Sequence, residues 1–93
     1  MLSMNIYTFE PGQRNELLKR RMEKGMALPE GVKLVGEWTD LGGGRGFLLA
    51  ESNDPKAVIA AAMPWSDLMK MEIVPVIEAA ELWKEVEGKG SKK

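Results

Sequence analysis

Four side chains in the 93-residue sequence have the chemistry of a small-molecule site: Tyr7, Trp38, Arg45 and Trp65. Aromatic rings are the usual walls of apolar pockets, a phenol hydroxyl forms hydrogen bonds, and a guanidinium can hold a carboxylate or a developing oxyanion. If these side chains converge, we expect them to bind a planar organic anion. The alternative is that the aromatic rings pack in the core or in a dimer interface. A one-residue shift of register turns a strand's side chains to the other face, so the facing of these residues stays open.

Missing residue types exclude several kinds of chemistry. The sequence contains neither Cys nor His, which excludes disulfides, cysteine nucleophiles, His-dependent catalytic triads and histidine-ligated haem, and removes the commonest zinc ligands. We therefore expect no metal and no cofactor. The formal net charge is -1, from 13 Lys and Arg against 14 Asp and Glu. Because no bulk field attracts polyanions, we expect no nucleic-acid partner and no membrane surface.

The glycine-rich segment 42–46, Gly-Gly-Gly-Arg-Gly, superficially resembles a phosphate-binding loop, whose backbone N–H groups cradle anions. Such a loop lies between a strand and a helix, whereas here the Phe-Leu-Leu of residues 47–49 continues as a strand. The context therefore favours a structural turn. An anion contact through Arg45 and the loop amides is the alternative.

Carboxylates and methionines are the remaining candidates. Carboxylates on adjacent strands could do acid–base work or bind a hard cation, but their spacing matches no calcium loop. Asp54 is best explained as a helix cap and Asp67 as a turn residue. The seven methionines are interpreted as fillers of the core, with contact to a ligand as the alternative. The other carboxylates considered are Glu37, Asp40 and Glu51.

The elements that must position these residues follow from the hydrophobic pattern, which predicts the order β-α-β-β-α-β and then a terminal helix. Residues before Gly25 are good helix formers, and Asn53-Asp54-Pro55 is typical of a helix start. Pro64 should stop or kink that helix, and Pro75 indicates an edge strand or a bulge. Predicted strands cover residues 2–9, 32–39, 46–51 and 68–77, and predicted helices cover 13–24, 56–63 and a stretch from Ala79.

This order predicts an α+β fold of the ferredoxin-like type, with a four-stranded antiparallel sheet, two helices on one face and a short C-terminal helix. We expect residues 1–87 to form a single domain and residues 88–93 to form a disordered polar tail. The first and fourth strands carry apolar residues on both faces, so we expect a second copy of the chain to cover the free face in a homodimer. Trp83 is a candidate to reach across, and folding back onto its own subunit is the alternative.

A family resemblance adds to this interpretation. Residues 4–12 (Met-Asn-Ile-Tyr-Thr-Phe-Glu-Pro-Gly), residues 36–47, Asp54-Pro55 and Trp65 resemble a family of small bacterial proteins, a domain of unknown function related to the dimeric α/β barrels. The resemblance extends to about Ala80 and implies a dimeric α/β barrel. The wider superfamily includes cofactor-free monooxygenases, haem-binding enzymes and small-molecule binders. The absence of His separates this chain from the haem-binding members.

Three functions follow as hypotheses. The first is a homodimer that binds a small organic molecule between sheet and helices, and the second is a structural or interaction module without a ligand. A cofactor-free monooxygenase-like enzyme is the third. Because the sequence has neither a run of about 18 apolar residues nor the start of a signal peptide, we expect a cytoplasmic protein.

Overall fold

The computed structural model describes residues 1–90, and the predicted order of elements is confirmed. Single 3-10 turns at Pro11–Gln13 and Met63–Trp65 precede α1 and follow α2. The strands are β1 (Leu2–Thr8), β2 (Lys33–Thr39), β3 (Arg45–Glu51) and β4 (Lys70–Val76), and the helices are α1 (Arg14–Lys24), α2 (Pro55–Ala62) and α3 (Ala79–Gly90).

The four strands form one antiparallel sheet in the order β2-β3-β1-β4, which confirms a small α+β fold. β4 is an edge strand, and this position tolerates Pro75 because an edge strand has one side with no ladder to donate to. The pairing of β2 with β3 has a β-bulge between Leu34 and Gly36, because Val35 is an extra residue with no paired residue on β3. Such a bulge bends its strand and changes which side chains lie on each face.

Local sequence explains where the helices begin and end. The side chain of Asp54 accepts a hydrogen bond of 3.0 Å from the backbone N–H of Lys56, so it caps α2 as predicted. Pro55 is the first residue of that helix, where its missing N–H has no effect. Gly25 ends α1 with a φ of 62°, a backbone conformation that favours glycine.

The sheet has two unlike faces, which we name by what covers them. The cavity face carries Ser3, Asn5 and Tyr7 of β1, and both α1 and α2 lie over it. The outer face carries the alternate residues of β1, and the cross-strand pairs there include Ile6 with Phe47. Helices therefore cover one face only, and the outer face has no cover within the described chain.

The core is thin even on the covered face. Its central cluster consists of Leu17 from α1 with Trp65 and Leu68, which follow α2. Within residues 1–90 no large side chain is completely buried. Helices α1 and α2 thus cover the sheet without filling the space beneath them.

Helix α3 leaves its apolar side exposed. Trp83 is 59% exposed, so the side chain does not fold back into the core of its own subunit. The molecule is elongated, with extents of 56 × 31 × 17 Å. The helix includes residues 88–90 of the predicted tail, and residues 91–93 lie outside the described part of the chain. The predicted domain limit at 87 and the disorder of 88–93 stay predictions.

Candidate functional site

A cavity of about 400 Å³ lies between the cavity face and helices α1 and α2. This volume falls within the range of small-molecule sites, which runs from about 300 to 1,000 Å³. Most of the wall is apolar. The apolar side chains include Leu17, Leu18, Val58, Ala61 and Ala62 from the helices, and Leu48, Met71 and Ile73 from the sheet.

A polar cluster of three side chains interrupts this apolar wall. The Tyr7 hydroxyl donates a hydrogen bond of 2.8 Å to Glu37 Oε2. The Arg21 guanidinium donates to both oxygens of the same carboxylate, at 2.6 Å to Oε1 and 3.1 Å to Oε2. Paired hydrogen bonds of this kind are the strong, geometrically specific form of an arginine–carboxylate pair. The cluster joins β1, β2 and α1, so it also holds α1 over the sheet.

Strand β3 lies between Tyr7 and Glu37, and its glycine allows them to meet. Tyr7 is paired with Gly46, and the tyrosine ring lies over the space where a side chain at Gly46 would stand. Without that side chain, the ring extends across β3 to the carboxylate on β2. Gly46 itself is buried.

The cluster shifts the pKa of each member. Burial and then the hydrogen bond to Glu37 raise the pKa of Tyr7 from 10.0 to about 12. The hydrogen bond from Arg21 lowers the pKa of Glu37, and the same bond raises the pKa of Arg21. Each of the three shifts moves the pKa further from pH 7. At pH 7 the cluster therefore holds a neutral phenol, a carboxylate and a guanidinium, with a net charge of zero.

Asn5 places a second polar group on the cavity face, two residues before Tyr7. Its amide nitrogen donates to the sulfur of Met71 at 3.5 Å. Its carbonyl oxygen Oδ1 is buried and has no hydrogen-bond partner among the described residues. A buried polar atom without a partner is rare in folded proteins, because it loses its hydration without compensation.

The structure brings three of the four predicted site residues, Tyr7, Arg45 and Trp65, to the cavity and leaves the fourth outside it. Tyr7 and Trp65 line the cavity, and Trp65 is only 8% exposed. Trp38 is paired with Phe47 on the outer face and is 53% exposed. Its ring lies over Gly36, the residue two positions earlier on the same face. Trp38 therefore does not join the other rings at the cavity, and the binding roles of the four side chains stay predictions.

Arg45 borders the cavity, but its guanidinium is engaged elsewhere. It lies 5.2 Å from the centre of the Phe47 ring and donates to Asp40 Oδ2 at 3.3 Å. The neighbouring loop is a turn with its own partners, since the N–H groups of Gly42 and Gly43 both donate to Asp40. This arrangement supports the structural turn rather than the anion contact.

Three site residues were given no site role from the sequence: Asn5, Arg21 and Ser3. Glu37 was considered only as one carboxylate among several. A signal for the strand residues did exist, because Ser3, Asn5 and Tyr7 alternate on one face of the predicted first strand. Three polar side chains on a face covered by helices are more typical of a site than of a core.

Neither a metal cluster nor a membrane-spanning helix occurs in the described part of the chain. Across residues 1–90, no three Asp or Glu side chains come together in a group that could hold a metal ion. No helix in that range combines the length and the apolar composition needed to cross a membrane. The expectations of no metal, no cofactor and a cytoplasmic location stay predictions.

The sequence is similar to a known domain family over nearly its whole length. The family model described as Domain of unknown function (DUF3303) matches residues 1–90. No curated protein and no solved structure matches the chain. The family description carries no activity, so the function must be argued from the site itself.

Proposed function

We propose that this chain, which belongs to the DUF3303 family of domains of unknown function, binds a small, largely apolar organic molecule in the cavity between the sheet and helices α1 and α2. The observation that carries the proposal is a cavity of about 400 Å³ with apolar walls and a few polar groups on one side. Ligand sites have this composition because apolar walls supply affinity and a few polar groups fix orientation.

The loosely filled core supports this proposal, because a bound ligand would fill interior space that the side chains leave empty. Protein interiors are normally packed as densely as organic crystals, and few voids exceed the size of a water molecule. Here the most buried members of the apolar cluster, Trp65 and Leu68, are still 8% exposed. A molecule in the cavity would cover these side chains and the sheet residues opposite them.

Binding has more support than catalysis. A general base or acid works best when its pKa lies near the working pH. In the polar cluster, the pKa of Glu37 is lowered and the pKa of Tyr7 is raised to about 12, so both groups become poorer at proton transfer at neutral pH. A cofactor-free monooxygenase-like reaction that begins with proton removal from the substrate therefore draws no support from this cluster.

The finer fold assignment is also a proposal: a ferredoxin-like chain of the dimeric α/β barrel type. Read from the β4 edge, the order of the strands in the sheet is β4-β1-β3-β2. β1 and β2 are parallel with β3 between them, and β3 and β4 are parallel with β1 between them. This interleaving of two βαβ units supports the split βαβ arrangement.

We propose further that a second copy of the chain covers the outer face. A sheet face left without helices is normally polar, but this one carries an apolar set that spans all four strands. In a chain of 93 residues, burial of this set would add substantially to a thin core. The set includes Leu2, Met4, Ile6, Trp38, Phe47, Leu49, Val74 and Val76.

Helix α3 gives the same proposal a second line of support. Val86 lies three residues after Trp83 and four after Leu82, so these side chains share one side of the helix. They are 48–59% exposed. An apolar side this exposed on a terminal helix is suited to contact with a partner. Contact with the second copy would bury Trp83 and the outer face together.

The binding proposal is tested by filling the cavity. Ala61 lines it, whereas the neighbouring Ala60 on the same helix is exposed and does not. We expect Ala61→Phe to weaken the binding of 1-naphthol and 1-methoxynaphthalene at least tenfold, and Ala60→Phe to leave it unchanged. Binding is followed by nuclear magnetic resonance titration of the cavity-face amides.

Two results would overturn the binding proposal. In the first, neither naphthalene shifts the cavity-face resonances. In the second, Ala61→Phe and Ala60→Phe both bind the naphthalenes as tightly as the wild type does, which would place the ligand outside the cavity. The first result would leave the structural or interaction module as the better function.

A further inference from the structure

The unpartnered oxygen of Asn5 has a determined orientation. Oxygen and nitrogen of an amide side chain are exchanged by a half turn, so the neighbours decide which atom lies where. The amide nitrogen lies 3.5 Å from the thioether sulfur of Met71. A thioether has lone pairs and no hydrogen to donate, so only the NH2 group can form this bond. Oδ1 is therefore the atom left without a partner among the described residues.

The polar cluster next to Asn5 offers hydrogen-bond acceptors as well. The single hydrogen of the Tyr7 hydroxyl is donated to Glu37, so towards a ligand that hydroxyl can only accept a hydrogen bond. The Glu37 carboxylate can only accept. Its charge is matched by Arg21, which donates to both of its oxygens. An incoming anion would find no unmatched cation in this cluster.

The cations at the border of the cavity do not change this balance. Arg14 and Arg45 both line it, and both are exposed. Exposed charges are screened by water and contribute little to holding an anion. Arg45 is also paired with Asp40.

We propose that the cavity selects a neutral ligand with a hydrogen-bond donor, such as a phenol, an alcohol or a primary amide, whose O–H or N–H donates to Asn5 Oδ1 once a rotation of the Asn5 side chain turns this oxygen into the cavity. This inference rests on the proposed binding function and names the class of ligand for the same cavity. It replaces the planar organic anion that the sequence led us to expect. The physical reason is that a donor supplies the buried oxygen with its missing partner, whereas the charge of a carboxylate would meet no unmatched cation in the polar cluster.

Three naphthalenes of similar size separate the possible chemistries. 1-Naphthol carries a donor, 1-methoxynaphthalene replaces that hydrogen by a methyl group, and 1-naphthoate carries an anion. We expect 1-naphthol to bind about tenfold more tightly than the methyl ether, because a buried acceptor gains its hydrogen bond. We expect 1-naphthoate to bind most weakly. The side-chain NH2 resonances of Asn5 should shift on addition of 1-naphthol.

Asn5→Leu removes the acceptor and keeps a similar volume. We expect this variant to bind 1-naphthol and 1-methoxynaphthalene with equal affinity. The matched control is Asn15→Leu, since Asn15 is exposed on α1 and does not line the cavity. The control should keep the tenfold preference of the wild type.

The outcomes distinguish failure of this inference from failure of the binding function. Tightest binding by 1-naphthoate, or a preference for 1-naphthol that persists in Asn5→Leu, would overturn the donor inference and leave a binding cavity. Equal affinity for all three compounds would also overturn the donor inference and leave a binding cavity. Binding of none of them would overturn both proposals.

Discussion

Gly46 lies directly beneath the ring of Tyr7, and the ring lies over the position that a side chain at Gly46 would need. The two residues are a cross-strand pair of β1 and β3. The Tyr7 hydroxyl reaches Glu37 on β2 because β3 presents no side chain in between. One missing methyl group thus allows a contact between two strands that are not neighbours in the sheet.

A methyl group at Gly46 should displace Tyr7. We expect Gly46→Ala to lower the free energy of unfolding by roughly 1–3 kcal/mol, because a crowded side chain must move and loses its hydrogen bond. Chemical denaturation measures this change. Gly12→Ala is the matched control, because a Cβ there would have no atom within 4 Å. Equal stabilities of the two variants would contradict the proposed role of Gly46.

The single tyrosine of the chain makes its titration directly visible. We expect the near-ultraviolet absorbance of tyrosinate to rise with a midpoint near the pKa of about 12 rather than 10.0. Glu37→Gln should lower this pKa, because the hydrogen bond to the carboxylate is one of its causes. Glu23→Gln, at an exposed position on α1, should leave it unchanged. A midpoint near 10 in the wild type would mean that Tyr7 is not held in the cluster.

The same shift predicts how stability depends on pH. A group whose pKa is higher in the folded state stabilises the fold fully below its unfolded pKa, and the stabilisation is lost as the pH rises through the folded value. For Tyr7 this range extends from pH 10.0 to about 12. We expect the wild type to lose more stability over this range than Tyr7→Phe. Thermal unfolding of both proteins at a series of pH values gives the difference, and parallel curves would contradict it.

An unpartnered acceptor at Asn5 should reduce the stability of the empty protein. We expect Asn5→Leu to raise the free energy of unfolding by roughly 1 kcal/mol in the absence of ligand, because the variant no longer buries an unsatisfied oxygen. Asn15→Leu, at an exposed position, should change it little. A less stable Asn5→Leu protein would show that the Oδ1 atom has a partner in solution.

The proposed homodimer should have a mass near twice 10.3 kDa in sedimentation equilibrium. Val74→Asp places a charge on the outer face and should dissociate the dimer, since an interface of standard size, on the order of 1,600 Å², tolerates no unpaired charge in its centre. Ile59→Asp, at a more exposed site on α2, should stay dimeric. A wild-type monomer at micromolar concentration would contradict the proposal.

Much of the secondary structure was predictable because its signals are local. Asp54 caps α2 through an atom two residues away, and Gly25 ends α1 through its own backbone angle. Strand alternation and the prolines placed the four strands within a few residues of their observed limits. The alternation that places Ser3, Asn5 and Tyr7 on one face of β1 was likewise visible, although that face was interpreted as apolar. These features depend on residues close together in the chain.

Which β2 side chains face the cavity was decided by pairing between residues that are distant in the chain. Leu34 is paired with Ala50 on the cavity face, but after the extra residue Val35, Gly36 is paired with Leu49 on the outer face. From that bulge onward the alternation of β2 is reversed, so Glu37 faces the cavity and Trp38 does not. Composition and periodicity were compatible with either arrangement. Only the register of β2 on β3 distinguishes them, because a shift of one residue exchanges every side chain between the two faces.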